Sequence, residues 1–226
     1  MKSQKHLLPS LETHFIDSET GELAIQYRDG YPRTYRFDAS RGLFSINGEI
    51  NISKKGQALT FIPVAFRVFR DNILGYGLKK WAEFFFVNAN GQMCNLLFHG
   101  YSVENLEKRT NDLYYDNLDL CQVVLTATPV ERIKQSGEGK GNKYFIAEFT
   151  YKPLDNQAIQ DILLIGDGLI IWRAGTLTGD AQTELSVNYR PPIQLLNGSG
   201  TIEEPEAQKT KPETANTDSE KKAKAA

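Results

Sequence analysis

Residues 59–99 read LTFIPVAFRVFRDNILGYGLKKWAEFFFVNANGQMCNLLFH. The segment 59–70 is dense in β-branched and aromatic residues, the composition of a half-buried pleated strand. Pro63 lacks the N–H that a central strand must donate, so it predicts an edge position or a bulge. Segments 79–87 and 92–99 flank Asn88-Ala-Asn-Gly91, which has the residues of a hairpin turn. Upstream, 43–52 (LFSINGEINI) is a second hairpin or bent strand broken at Asn47-Gly48. Segments 22–28 and 33–38 are joined by Asp29-Gly30-Tyr31-Pro32, again a turn signature. Downstream, 121–130, 143–151 and 169–173 complete the predicted strands. Two helices interrupt them: about 102–112, with Ser102 as N-cap, and 155–165, ended by Gly166-Asp-Gly168.

The chain has 226 residues, 40% hydrophobic and 24% charged, with two cysteines and three histidines. That composition supports one core domain with appendages. Longest apolar runs fall well below a bilayer span, and the N-terminus lacks a signal-peptide core, so a cytoplasmic, membrane-free protein is expected. Cys94 and Cys121 are too few for a disulfide scaffold and read as small buried hydrophobes. From Ser199 onward the chain has no aromatics, and nothing there offsets the entropy of ordering. The expected organisation is a loosely ordered 1–20, a β domain over 21–175 with an N-terminal hairpin, an extended 176–198 and a disordered tail 199–226.

Charge is segregated along the chain. Residues 41–110 carry nine basic groups against five acidic, residues 111–130 carry only Asp112, Asp116 and Asp119, and residues 131–152 return to a net +2. Two basic blocks in a chain of net charge -2 permit a polyanion groove. From residue 43 the elements run strand, strand, long hairpin strand, helix, strand, strand. This is the order of an OB-fold, a five-stranded barrel with one helix between strands 3 and 4. That barrel binds oligonucleotides or oligosaccharides through its strand 2–3 face and its 1–2 and 4–5 loops. On this mapping the 1–2 loop is 53–57 (SKKGQ) and the 4–5 loop is 134–143 (KQSGEGKGNK).

Lys54, Lys55, Arg67, Arg70, Lys79, Lys80, Lys134, Lys140 and Lys143 are then the candidate phosphate contacts. Phe69, Tyr76, Trp81 and Tyr144 are the candidate stacking rings, since single-strand binders combine cations along the backbone with aromatic platforms. The competing reading of Trp81 and of Phe84-Phe85-Phe86 is core packing, and that of Lys54 and Lys55 a solvated turn. In element order and tail, the chain resembles OB-fold single-stranded DNA-binding proteins of bacteria, phages and mobile elements. The resemblance covers roughly 43–151 plus the tail. It implies a role in replication, recombination, repair or mobile-element biology, with RNA as an open alternative to DNA. It also leaves open a homo-oligomer, and a replication or recombination partner held by the tail. The terminal Lys221-Lys-Ala-Lys-Ala-Ala226 departs from the acidic, hydrophobic-ended tip with which such bacterial proteins recruit partners.

Signals for chemistry are weak. There is no GxxxxGK[ST], no GxGxxG in a βαβ setting and no GxSxG elbow. Cys94, His99 and Cys121 lack metal-ligand spacing. The reading is therefore a non-enzymatic, cofactor-free, metal-free binder of single-stranded nucleic acid. The alternative is a structural or assembly protein of a phage or multiprotein complex. An oligosaccharide-binding barrel is a weaker third reading.

Overall fold

The computed structural model describes residues 20, 23–73, 75, 77–178 and 181–192. The expected ordering of 1–19 and of the tail 199–226 lies outside the described residues, as does Tyr76.

The stretch 59–99 forms four strands. Leu59–Phe61 is β4, Ala65–Asp71 is β5, Lys79–Val87 is β6 and Met93–His99 is β7. β5, β6 and β7 are an antiparallel meander in which Phe66 lies opposite Phe84, and Phe84 opposite Leu96. The turn between β6 and β7 is held by Asn88, whose Oδ1 accepts from the N–H groups of Asn90 and Gln92 at 2.9 and 3.1 Å. Pro63 ends one strand and redirects the chain. β4 pairs with β8 (Val123–Ile133), whereas β5 pairs with β6, so one continuous segment serves two sheets.

The larger sheet has seven strands in the order β10-β5-β6-β7-β1-β2-β3, and the smaller three, β4-β8-β9. Here β1 is Arg33–Asp38, β2 Leu43–Ile46, β3 Ile50–Asn51, β9 Lys143–Pro153 and β10 Gln182–Val187. Asn47 and Gly48 take positive φ (54° and 82°) in the turn from β2 to β3. The predicted 22–28/33–38 hairpin is not formed: β1 runs parallel to β7, and Gln26 makes only an isolated parallel bridge to Gln92. Predicted strand 169–173 is likewise reduced to a bridge between Ile171 and Tyr189. The segment expected to be merely extended contains β10, an edge strand of the main sheet.

The sheets do not close into a barrel. They face each other across an aromatic core in which the Phe84 ring lies 5.4 Å from Phe61, 6.1 Å from Phe98 and 6.5 Å from Phe149. A backbone bond from the Phe145 N–H to the Ala39 carbonyl, 2.7 Å, joins their margins. β8 shows the period-2 pattern of a sheet with one buried face: Val123, Leu125, Ala127 and Pro129 are buried and the residues between them are partly exposed. β6 does not alternate, because both faces of the main sheet are covered, and this accounts for the uninterrupted Phe84-Phe85-Phe86.

The helix α1 (Tyr101–Tyr115) packs on β9 and on the ends of β6 and β7. Ser102 is not its cap. Gly100 holds that position at φ +60°, and the buried Ser102 hydroxyl instead accepts from the Ala147 N–H at 2.9 Å. The second helix, α2 (Asn156–Gly168), is capped by Asp155, whose carboxylate accepts from the Ala158 N–H. No helix among the described residues is long and apolar enough to cross a membrane.

Candidate nucleic-acid interface

Three loops meet at one end of the molecule, and small residues let them meet. The 53–57 loop rests on the β1–β2 turn through the Gly56 N–H, which donates to the Gly42 carbonyl at 2.8 Å. Gly42 has φ +67°, and a Cβ there would lie 2.4 Å from the Phe145 ring, so only glycine lets the turn sit against β9. Below the turn, Asp38 accepts hydrogen bonds from Ser40 and Arg41. Partial burial works against ionisation of Asp38, yet these bonds outweigh it and hold the carboxyl at about 2.

Lys55 then reaches across to the hairpin between β8 and β9. Its ammonium lies 3.5 Å from Glu131 and 5.1 Å from the centre of the Phe145 ring, while Lys143 approaches the other Glu131 oxygen at 2.7 Å. The Lys143 bond, with the nearby Lys55 charge, holds the Glu131 carboxyl below its ordinary range. The hairpin tip is closed by the Lys134 N–H to Asn142 C=O and the Gly141 N–H to Lys134 C=O, both 2.9 Å. Lys54 and Lys140 are exposed, Lys134 is exposed with its ammonium on the Glu138 carbonyl, and Tyr144 is half-buried on β9. Five lysines and Arg132 against Glu131 and Glu138 leave residues 53–57 and 131–143 with a net +4.

The predicted cation–aromatic strand surface is a different matter. Arg67 is 1% exposed, Phe69 0% and Trp81 3%. Arg67 donates to Glu83 at 2.9 and 3.0 Å and to the Thr176 carbonyl at 2.6 Å. Its guanidinium lies 3.8 Å from the centre of the Phe69 ring and 4.3 Å from that of Tyr189. Trp81 donates its indole N–H to the Asp71 carbonyl at 3.0 Å. None of the three is open to a phosphate or a base, which corrects their assignment as ligand contacts. What covers them is the chain itself. The segment after α2 lies over this face, with Thr176 bonded to Glu83 at 2.8 Å, Thr178 to Asp71 at 2.6 Å and Asn188 to the Val64 carbonyl at 2.9 Å.

Arg70 and Lys80 are engaged elsewhere. Both bind Glu184 of β10, at 2.5 and 2.7 Å, and Lys80 also binds Glu107 of α1. Lys80, then Arg70, holds the Glu184 carboxyl below its usual range. Lys79 is exposed at the start of β6. The structure therefore brings Lys55 and Lys143 together on Glu131, with Lys54 beside Lys55 in its loop and Lys134, Lys140 and Tyr144 on the hairpin that carries Lys143. It engages Arg67, Phe69, Arg70, Lys80 and Trp81 of β5 and β6 elsewhere.

Glu131, Gly42 and Phe145 were missed by sequence reasoning. A faint signal existed for Glu131, an acid among the bases of ERIK at a hairpin mouth; none existed for Gly42 and Phe145, whose contact is purely tertiary. Cys94 and Cys121 are buried thiols, Cys94 pushed up to about 12 by desolvation. Among the described residues no three His, Cys, Asp or Glu side chains are grouped to hold a metal ion. Comparison with protein-family models, with curated proteins and with solved structures finds no match for this chain.

Proposed function

We propose that the protein binds single-stranded nucleic acid, DNA being the expected strand, at its lysine-bearing loop end and without catalysis. The observation that carries this reading is the Lys55–Glu131–Lys143 bridge, which fastens the 53–57 loop to the β8–β9 hairpin and makes one cationic surface of two distant segments. An OB-like arrangement also supports it, one strand further along than the sequence mapping had it. The kinked β4–β5 segment, β6, β7, α1, β8 and β9 follow the five-strand order with its helix after the third strand. On that mapping the 4–5 loop is the basic hairpin 134–142, and the 1–2 loop is the β5–β6 connection and not 53–57. The strand 2–3 face is covered by the chain's own C-terminal segment, so the support from element order is confined to the hairpin.

The test is a titration of fluorescent oligo-dT at increasing salt. The logarithm of the association constant should fall with the logarithm of salt concentration by roughly 0.7 per phosphate neutralised. Lys54→Ala and Lys140→Ala should each flatten that slope by about 0.7. Affinity indifferent to salt, or unaltered in both variants, would sink the reading. The assembly-protein alternative draws on Leu163 and Leu164 of α2 and on Ile170, large apolar side chains left exposed. It predicts self-association or partner binding that persists at high salt.

A further inference from the structure

Beside the basic loops a cavity of about 350 Å³ opens between the two sheets. Ile52, Ala58, Leu59 and Ala89 form its accessible apolar wall over a floor of the buried Tyr35, Phe61 and Phe86 rings, and Gln57 and Asn90 form its rim. The rings are already fixed against one another, Phe86 lying 5.2 Å from Tyr35 and 5.1 Å from Phe61. Among the described residues no charged one lines the cavity. The 53–57 loop forms one lip, since Ser53 and Gln57 both line the cavity, and Lys54 and Lys55 lie between them in sequence. The Lys54 N–H donates to the Gln57 side-chain carbonyl at 2.9 Å, which sets that amide at the rim.

A neutral cavity with an apolar wall and amides at its mouth, one lip of which is the loop that also carries Lys54 and Lys55, fits an uncharged planar heterocycle tethered to an anionic chain. A free anion would be drawn to the lysines and not to the apolar wall, and a plain hydrocarbon would leave the amides without partners. Asn88 also lines the cavity but commits its side chain to Gln92, the 88–92 turn and the Tyr35 hydroxyl. Recognition of a heterocycle edge therefore falls to Gln57 and Asn90, both exposed. We infer that this cavity takes a single unstacked nucleobase of the strand whose phosphates lie on the loops. The inference rests on the function proposed above and adds a base-selective subsite to it.

The experiment compares the full chain's affinity for a dT 12-mer with that for a 12-mer of the same phosphate backbone lacking bases. The base-bearing strand should bind about tenfold more tightly. The double variant Ala58→Leu/Ala89→Leu, which narrows the mouth from two exposed positions, should remove that advantage and leave backbone binding unchanged. Gln57→Ala should reduce the advantage in part, and the bare backbone serves in each case as the control for folding. Equal affinity of wild type for both strands overturns the inference while leaving the loop reading intact, as does an advantage that survives the double variant. If neither strand binds, both readings are overturned. A thymidine monophosphate arm separates the remaining source: micromolar binding of the mononucleotide without any preference for the base-bearing strand reassigns the cavity to a free nucleotide and overturns the subsite.

Discussion

Glu131 holds Lys55 and Lys143 together and also cancels part of their charge. Glu131→Gln keeps the side chain's size and removes the negative charge, and its amide NH2 gives up one of the two lysine contacts. It should therefore strengthen binding of oligo-dT and steepen its salt dependence, a change read directly from the titration slope. If Glu131→Gln instead weakens binding, the lysines act only when Glu131 positions them. Asp38 offers a second residue-scale prediction, through pH. Its carboxyl sits at about 2 in the folded protein against an ordinary 3.8, so its contribution to stability is present above pH 4 and is lost as pH falls towards 2. Asp38→Asn should lower the melting temperature at neutral pH, and the gap from wild type should narrow between pH 4 and pH 2. A gap that stayed constant across that window would mean the turn is held by packing and not by the ionised carboxylate.

Among the elements, β5 and β6 are tied by a buried ion pair. Glu83 is 0% exposed and accepts from Arg67, Asn95 and Thr176. Glu83→Ala leaves the Arg67 guanidinium buried without its carboxylate and should cost about 3–5 kcal/mol in urea denaturation. A loss below about 1 kcal/mol would show that water reaches the pair, since exposed pairs are worth no more than that. This pair also shows where sequence reading stopped. The strands and turns from 43 to 153 were legible, because Asn47-Gly48, Asn88–Gly91 and the glycines of 134–142 punctuate apolar runs of strand length. That the charges of 59–81 point inward was not legible. Alternation places Arg67 and Phe69 on one face, but only tertiary structure decides that a segment a hundred residues later covers that face. Ser102 failed for a related reason: a serine before an amphipathic run reads as a cap, whereas here β9 claims its hydroxyl. The loop lysines were legible as charges, and their meeting through Glu131 was not.

At the scale of the whole molecule, both tryptophans are interior, Trp81 at 3% and Trp172 at 6% exposure. Acrylamide should quench them weakly, and saturation with oligo-dT should leave their emission nearly unchanged even as a fluorescent strand reports binding. Strong quenching by the oligonucleotide would mean that the segment over β5 and β6 moves aside when ligand arrives. That segment has one more consequence. Arg67 and Glu83 are sealed by Thr176, 109 and 93 positions further along. During synthesis the ribosome has released the whole meander before the residue that closes over its charges exists outside the exit tunnel. Until then the nascent chain carries an uncovered ionic stripe beside Phe69 and Trp81, so the order of translation delays completion of the domain until its last strand has emerged.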